Sequence, residues 1–127
     1  MSAKHWSLLA CAYTTMALTP LALMAPASAQ DNRQFVVTYV EFLPAVQDHG
    51  AQLLQRLADV GRASHGVISF TADQEIGRSN FYVLIEVWRN PADFQDFKNS
   101  ATTRALLNQI QPFLEAPFDE RDGTLIE

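Results

Sequence analysis

Glu86 and Trp88 stand two residues apart in "FYVLIEVW", Phe81 to Trp88, a run whose other members are apolar or aromatic. Side chains alternate between the two faces of a strand, so positions i and i+2 share a face. The spacing therefore sets one carboxyl beside one indole on an otherwise greasy surface. A buried acid without a partner is costly, and two readings are open. Glu86 is a general base, poised in a dry cavity to take a proton from a bound molecule; or it is a structural acid bonded to backbone or to Arg104. Trp88 is correspondingly a pocket wall or plain core. Glu41 and His49 are the other candidate bases. His49 falls early in a predicted helix, where it also reads as an exposed surface residue. His65, next to Gly66, reads as a helix-end residue facing terminal carbonyls.

Other chemistries lack their residues. His49 and His65 are sixteen apart, with no carboxylate at ligand spacing, so no metal motif is present. The five glycines are scattered singly and none forms G-x-G, which leaves a flavin, nicotinamide or other nucleotide cofactor unsupported.

The first residues read as an export leader. "MSAKHW" supplies Lys4, "SLLACAYTTMALTPLALMA" is uncharged and apolar, and "ASA" at 27–29 offers small residues for a peptidase, with cleavage expected between Ala29 and Gln30. Pro20 and Pro26 weaken the same stretch as a membrane anchor, and the apolar run before Cys11 is too short for a lipoprotein signal. The expected location is the periplasm or outside the cell, with no stable membrane anchor after cleavage. Cys11 is the only cysteine, so residues 30–127 carry neither disulfide nor thiol. They keep eight of the nine basic residues and all fourteen acids, a balance of −6. Without a Lys/Arg cluster, nucleic acid is not an expected partner.

The elements that position Glu86 and Trp88 follow from pattern. "FVVTYVEF" reads as a strand. After Pro44 the spacing predicts a helix over 45–64, with Val46, Gly50, Leu53, Leu57 and Val60 on one side and Gly66 as its stop. "VISFTADQ" and "FYVLIEVW" read as antiparallel strands joined by "EIGRSN". "NPAD" starts a second helix, with Asn90 as cap and Pro91 at its first position. Phe94 and Phe97 point inward, and Ser100 interrupts or re-caps the helix before Leu106, Leu107 and Ile110. Pro112 ends that run. The tail "PFDERDGTLIE" predicts a fourth, weaker strand with Gly123 as a bulge or turn. The order β-α-β-β-α-β predicts an α+β, ferredoxin-like domain over 30–127. In its third strand Tyr82, Leu84, Glu86 and Trp88 face one way, and Phe81, Val83, Ile85 and Val87 face the other. With helices on one face only, the second apolar face predicts a homodimer packed sheet on sheet.

At this level the chain resembles the antibiotic biosynthesis monooxygenase domain, of the quinol monooxygenase type. The resemblance rests on Tyr39, Glu41 and Pro44 in a "Y-x-E-x-x-P" opening, Gly66 before the second strand, Glu86 and Trp88 in "E-x-W", and Ser100 in the second helix. It implies a dimeric α+β barrel with an aromatic substrate between helices and sheet. It also implies a cofactor-free route, in which a dihydroxyaromatic is deprotonated and its anion passes an electron to O2. That route needs a base, an aromatic-lined dry cavity and a partner for the anion. The expected catalytic pair is Glu86 and Trp88. The expected substrate-binding set is Tyr39, Phe70, Tyr82, Phe97 and Arg104, with Arg104 as anion partner. Many members carry a His near the second-helix Ser; here Phe97 and Thr102 flank Ser100 instead. Haem-degrading relatives use such a His and a first-strand Asn, and the chain has neither. Loss of the His favours a non-catalytic binder of small aromatic or lipophilic molecules, and the same fold also supports an isomerase.

Overall fold

The computed structural model describes residues 31–126. The expected leader at 1–29, with Cys11, lies outside the described residues. The β-branched and aromatic run forms β1 (Gln34–Glu41), and a short 3-10 turn at Pro44–Val46 leads into α1 (Gln47–Arg62). Then come β2 (Val67–Gln74) and β3 (Phe81–Trp88), joined by the expected hairpin. Two helices follow, α2 (Pro91–Asn99) and α3 (Ala101–Ile110), before β4 (Asp119–Thr124) closes the sheet. The sheet order is β2-β3-β1-β4 with every neighbouring pair antiparallel. This is the ferredoxin-like α+β arrangement, with the helices on one sheet face.

Caps decide where the second helical stretch breaks. Asn90 accepts a hydrogen bond from the Asp93 amide at 2.9 Å, which satisfies an orphan donor at the start of α2. Ser100 leaves helical geometry with ψ 146° and its Oγ accepts from the Thr103 amide at 3.2 Å. The chain thus re-caps at Ser100 and makes two helices rather than one. The first helix is tighter than its pattern. Pro44 favours a 3-10 turn, so α1 starts at Gln47, and Leu54, Ala58 and Gly61 join its buried face. Gly50 and Gly61 let α1 rest on the sheet's aromatic rings. A Cβ on Gly50 would sit 2.6 Å from the Phe42 ring, and one on Gly61 would sit 2.2 Å from Phe70.

The core fills the space between the inner sheet face and the helices. Val36, Val40, Leu54, Trp88, Phe94 and Ile110 are all essentially inaccessible. The outer sheet face has no helix over it. There Arg78 lies over Phe81 and Arg121 over Tyr39, while Val37, Val83, Ile85 and Val87 form an aliphatic centre that keeps part of its surface in water. Gly123 continues β4 in register opposite Phe35, so the expected bulge or turn does not form there. No described helix is long and apolar enough to cross a membrane.

Candidate active site

A cavity of about 240 Å3 opens between the inner sheet face and the helices. Its floor is Thr38 on β1 with Leu84 and Glu86 on β3; α1 contributes Leu57. Phe94, Phe97 and Lys98 of α2 form one wall and Thr103 and Leu107 of α3 another. Phe118, just before β4, and Glu120 on β4 complete it. The lining is apolar except for a few polar groups, the usual character of a small-molecule site.

Glu86 is 4% exposed. The strand alternation places it inward, and the Trp88 indole Nε1 donates to its Oε2 at 2.9 Å. No buried side-chain oxygen among the described residues lacks a partner. Oε1, to which no described group donates, therefore meets the cavity space. Burial raises the Glu86 pKa from 4.5 to about 7. The Trp88 hydrogen bond and the Lys98 charge oppose that rise, and the negative charges of Glu120 and Asp122 add to it. A carboxyl in this state exchanges a proton readily near neutral pH.

Trp88 backs the site rather than lining it. It is fully buried, and its ring stacks on Phe97 with centroids 5.0 Å apart and an angle of 27°. Phe70 packs edge-on against Phe97 at 5.7 Å. The order is thus Phe70, Phe97, Trp88 and then Glu86, a chain of rings that holds one carboxyl in place. The helix that carries Phe97, α2, is pinned in its first turn through Asp93. The buried Asp93 carboxylate accepts from Arg89 Nε at 3.1 Å and Asn90 Nδ2 at 2.9 Å, and pairs with His65 Nδ1 at 3.1 Å. Its side chain lies over Gly66, whose φ of +80° and missing Cβ make the approach possible. His65 therefore serves the Asp93 cluster, not the terminal carbonyls of α1.

The structure gathers only part of the expected site. Glu86 and Phe97 line the cavity, and Trp88 and Phe70 support them. Tyr82 shares the inner face but sits toward the far end of β3, against Phe42 at 5.6 Å, with its hydroxyl bonded to Gln74. Burial, and next the charge of Asp48, raise its pKa against that bond. Tyr39 is on the outer face, 48% exposed, beneath Arg121. Glu41 shares that outer face by strand alternation, and His49 packs edge-on against Phe113 outside the cavity lining. Arg104 is exposed because its neighbour Thr103 takes the inward position on α3, so it neither lines the cavity nor bonds Glu86.

Besides Glu86, the charged groups that reach the cavity are Lys98 and Glu120. Their ion pair closes at 2.6 Å between α2 and β4, and each side chain is about a third exposed. Sequence reasoning missed them for physical reasons. Lys98 lies one turn after Phe94, a weak signal on a helix with many polar residues. Glu120 belongs to "DERD", where charges fill both strand faces and alternation carries no information.

The sequence profile of the antibiotic biosynthesis monooxygenase family matches residues 33–109, more than half of the chain. No curated protein matches the chain significantly in sequence. Among solved structures, Rv0793 from Mycobacterium tuberculosis superposes with a TM-score of 0.70 at 17% identity, over 75% of this chain and 96% of its own. PA3566 from Pseudomonas aeruginosa gives 0.70 at 16%, over 76% and 96%. A variant of SnoaB, a cofactor-independent oxygenase from Streptomyces nogalater, gives 0.67 at 16%, over 76% and 95%. These likenesses show a shared fold. The profile match, which runs from β1 to α3, establishes that the chain belongs to the antibiotic biosynthesis monooxygenase family.

Proposed function

We propose that the chain is a cofactor-independent monooxygenase acting with O2 on a small electron-rich aromatic such as a hydroquinone, with Glu86 as general base. One observation carries this reading: a carboxyl with a pKa of about 7, one oxygen held by Trp88 and the other facing an apolar cavity. The oxygenase activity stated for SnoaB, a structural neighbour, supports it. A cavity of ~150 Å3 is known to hold one benzene ring, so about 240 Å3 suits one or two rings. The family's common second-helix His has no counterpart here, and in this reading the base sits on the sheet.

In the proposed reaction Glu86 takes a hydroxyl proton from the bound quinol. The anion gives one electron to O2, and the two radicals combine at a ring carbon. Loss of water, with the proton returned by Glu86, leaves a hydroxyquinone. One oxygen atom stays in the product and the other leaves as water. Apolar walls favour the neutral quinol over water and keep the intermediate from hydrolysis. The test is oxygen uptake with menadiol, coupled to product mass. A gain of one oxygen atom over menadione is expected. Uptake no faster than autoxidation would overturn the reading; ligand-dependent quenching of Trp88 fluorescence without uptake would leave a non-catalytic binder.

Two further features belong to the same proposal. Residues 1–29 act as a cleaved leader that delivers the chain to the periplasm or beyond. Intact mass of the exported protein tests this, and a start other than near Gln30 or a diacylglyceryl adduct on Cys11 would refute it. Two copies also pack through the outer sheet face. Its aliphatic centre with guanidinium-covered aromatics around it has the anatomy of an interface core and rim, and pairing about a two-fold axis would set this face against its own copy.

A further inference from the structure

Among the described residues, charge reaches the cavity at two places. Glu86 sits in the sheet floor, and the Lys98–Glu120 pair spans from α2 to β4 where its side chains are about a third exposed. Between them the surface is apolar, made by Leu57, Leu84, Phe94, Phe97, Leu107 and Phe118. The cavity therefore has one polar pole inside, a second at its opening, and greasy flanks.

Strand register sets the distance between the poles. Glu86 pairs with Val36, and Glu120 pairs with Thr38 on the other side of β1. The two acids thus stand two strands and two residues apart on one face, about 12 Å between backbones at ordinary sheet spacings. Both side chains rise from the same sheet face into the cavity, so an aromatic ring system with oxygens at opposite ends, and a hydrogen bond of ~2.8 Å at each, is of the scale needed to reach from one to the other.

The second pole also has a definite chemistry. Lys98 only donates, and Glu120 as a carboxylate only accepts. Together they satisfy a neutral hydroxyl, which donates to Glu120 and accepts from Lys98. A ligand carboxylate at the same place would face Glu120 and lie in the field of Glu86. Lys98 is held in position by its ion pair at 2.6 Å and by the Phe94 ring, 5.2 Å from its ammonium.

We propose that the Lys98–Glu120 pair is a substrate-positioning device that binds the second hydroxyl of a one- or two-ring aromatic diol while Glu86 engages the first. The inference rests on the function proposed above and narrows its substrate class to neutral diols with hydroxyls at opposite ends, against single phenols and aromatic carboxylates. When Glu86 removes the proton from the inner hydroxyl, negative charge spreads onto ring carbons, including the one that bears the outer hydroxyl, and the Lys98 ammonium beside that carbon stabilises it.

The experiment compares 1,4-dihydroxynaphthalene with 1-naphthol, which differ by one hydroxyl. Binding is followed without oxygen by Trp88 fluorescence and calorimetry, on the wild type and on Lys98→Met and Lys98→Arg. Hydrogen bonds to charged groups predict that the wild type binds the diol about ten- to a hundredfold tighter than the mono-ol. Lys98→Met should bring the two affinities together by weakening the diol alone, and Lys98→Arg should keep the preference. Equal wild-type affinities, or a preference unchanged in Lys98→Met, would overturn the proposal. Should Lys98→Met not fold, Glu120→Leu decides by the same comparison, since it removes the acceptor and must lower the preference. Because no turnover is involved, a preserved preference with no oxygen uptake would defeat the oxygenase reading and leave the positioning role standing. Uptake with no preference would do the reverse. Failure of the wild type to bind either compound would defeat both.

Discussion

Glu86→Gln separates a poised base from a structural acid, because the two roles give opposite stability effects. Burial lifts the Glu86 pKa from 4.5 to about 7. At 1.36 kcal/mol per pH unit, holding the charged form in the folded state costs about 3 kcal/mol. The sign follows from linkage: a carboxyl whose folded pKa exceeds its unfolded value binds more protons when folded. The folded state is therefore favoured while Glu86 is protonated, and that contribution is lost as pH rises from about 4.5 through about 7. Gln never ionises, and its amide oxygen can still accept the Trp88 N–H. The variant should match the wild type near pH 4 and exceed it by about 3 kcal/mol near pH 8. In a domain of this size that is roughly 12–24 °C in Tm. Oxygen uptake with menadiol should meanwhile fall about 10² or more, the usual contribution of a general base. Thermal unfolding from pH 4 to 8, beside the oxygen electrode, reads both. Parallel Tm curves for the two proteins would refute the raised pKa, and a variant destabilised at every pH would make Glu86 a structural acid.

Trp88→Phe removes the N–H that holds the Glu86 pKa down. The acid limb of the pH–rate profile should move to higher pH, with a stability loss of about 1.5–3 kcal/mol for a hydrogen bond to a charged group; an unmoved limb would show that the bond does not tune the base. Val83→Asp puts a charge in the aliphatic centre of the outer sheet face, away from the helices. Light scattering should report a monomer with unchanged circular dichroism, and a folded dimer would remove this face from the interface.

Periodicity carried much of the fold. Alternation in "FYVLIEVW" determined that Glu86 and Trp88 share a face and that Val83 and Ile85 take the other, because a strand's side-chain period is two whatever surrounds it. Asn90, Pro91 and Ser100 marked the helix starts, because capping is satisfied within a few residues of chain. The domain's element order followed from these local signals. Which inward residues meet in one cavity did not. Tyr82 and Glu86 have the same alternation, yet they lie four residues apart along β3, and only Glu86 lines the cavity with Phe94 and Phe97. Arg104 was the expected partner of Glu86, but a one-residue rotation around α3 gives the inward place to Thr103. Lys98 and Glu120 are 22 residues apart on separate elements, and their pairing at 2.6 Å depends on how α2 lies over β4. Burial likewise raised the Glu86 pKa only after the helices covered the sheet. Local pattern determines which way a side chain points from its own backbone; the packing of elements distant in sequence decides what it meets there, and with it the charge it can carry.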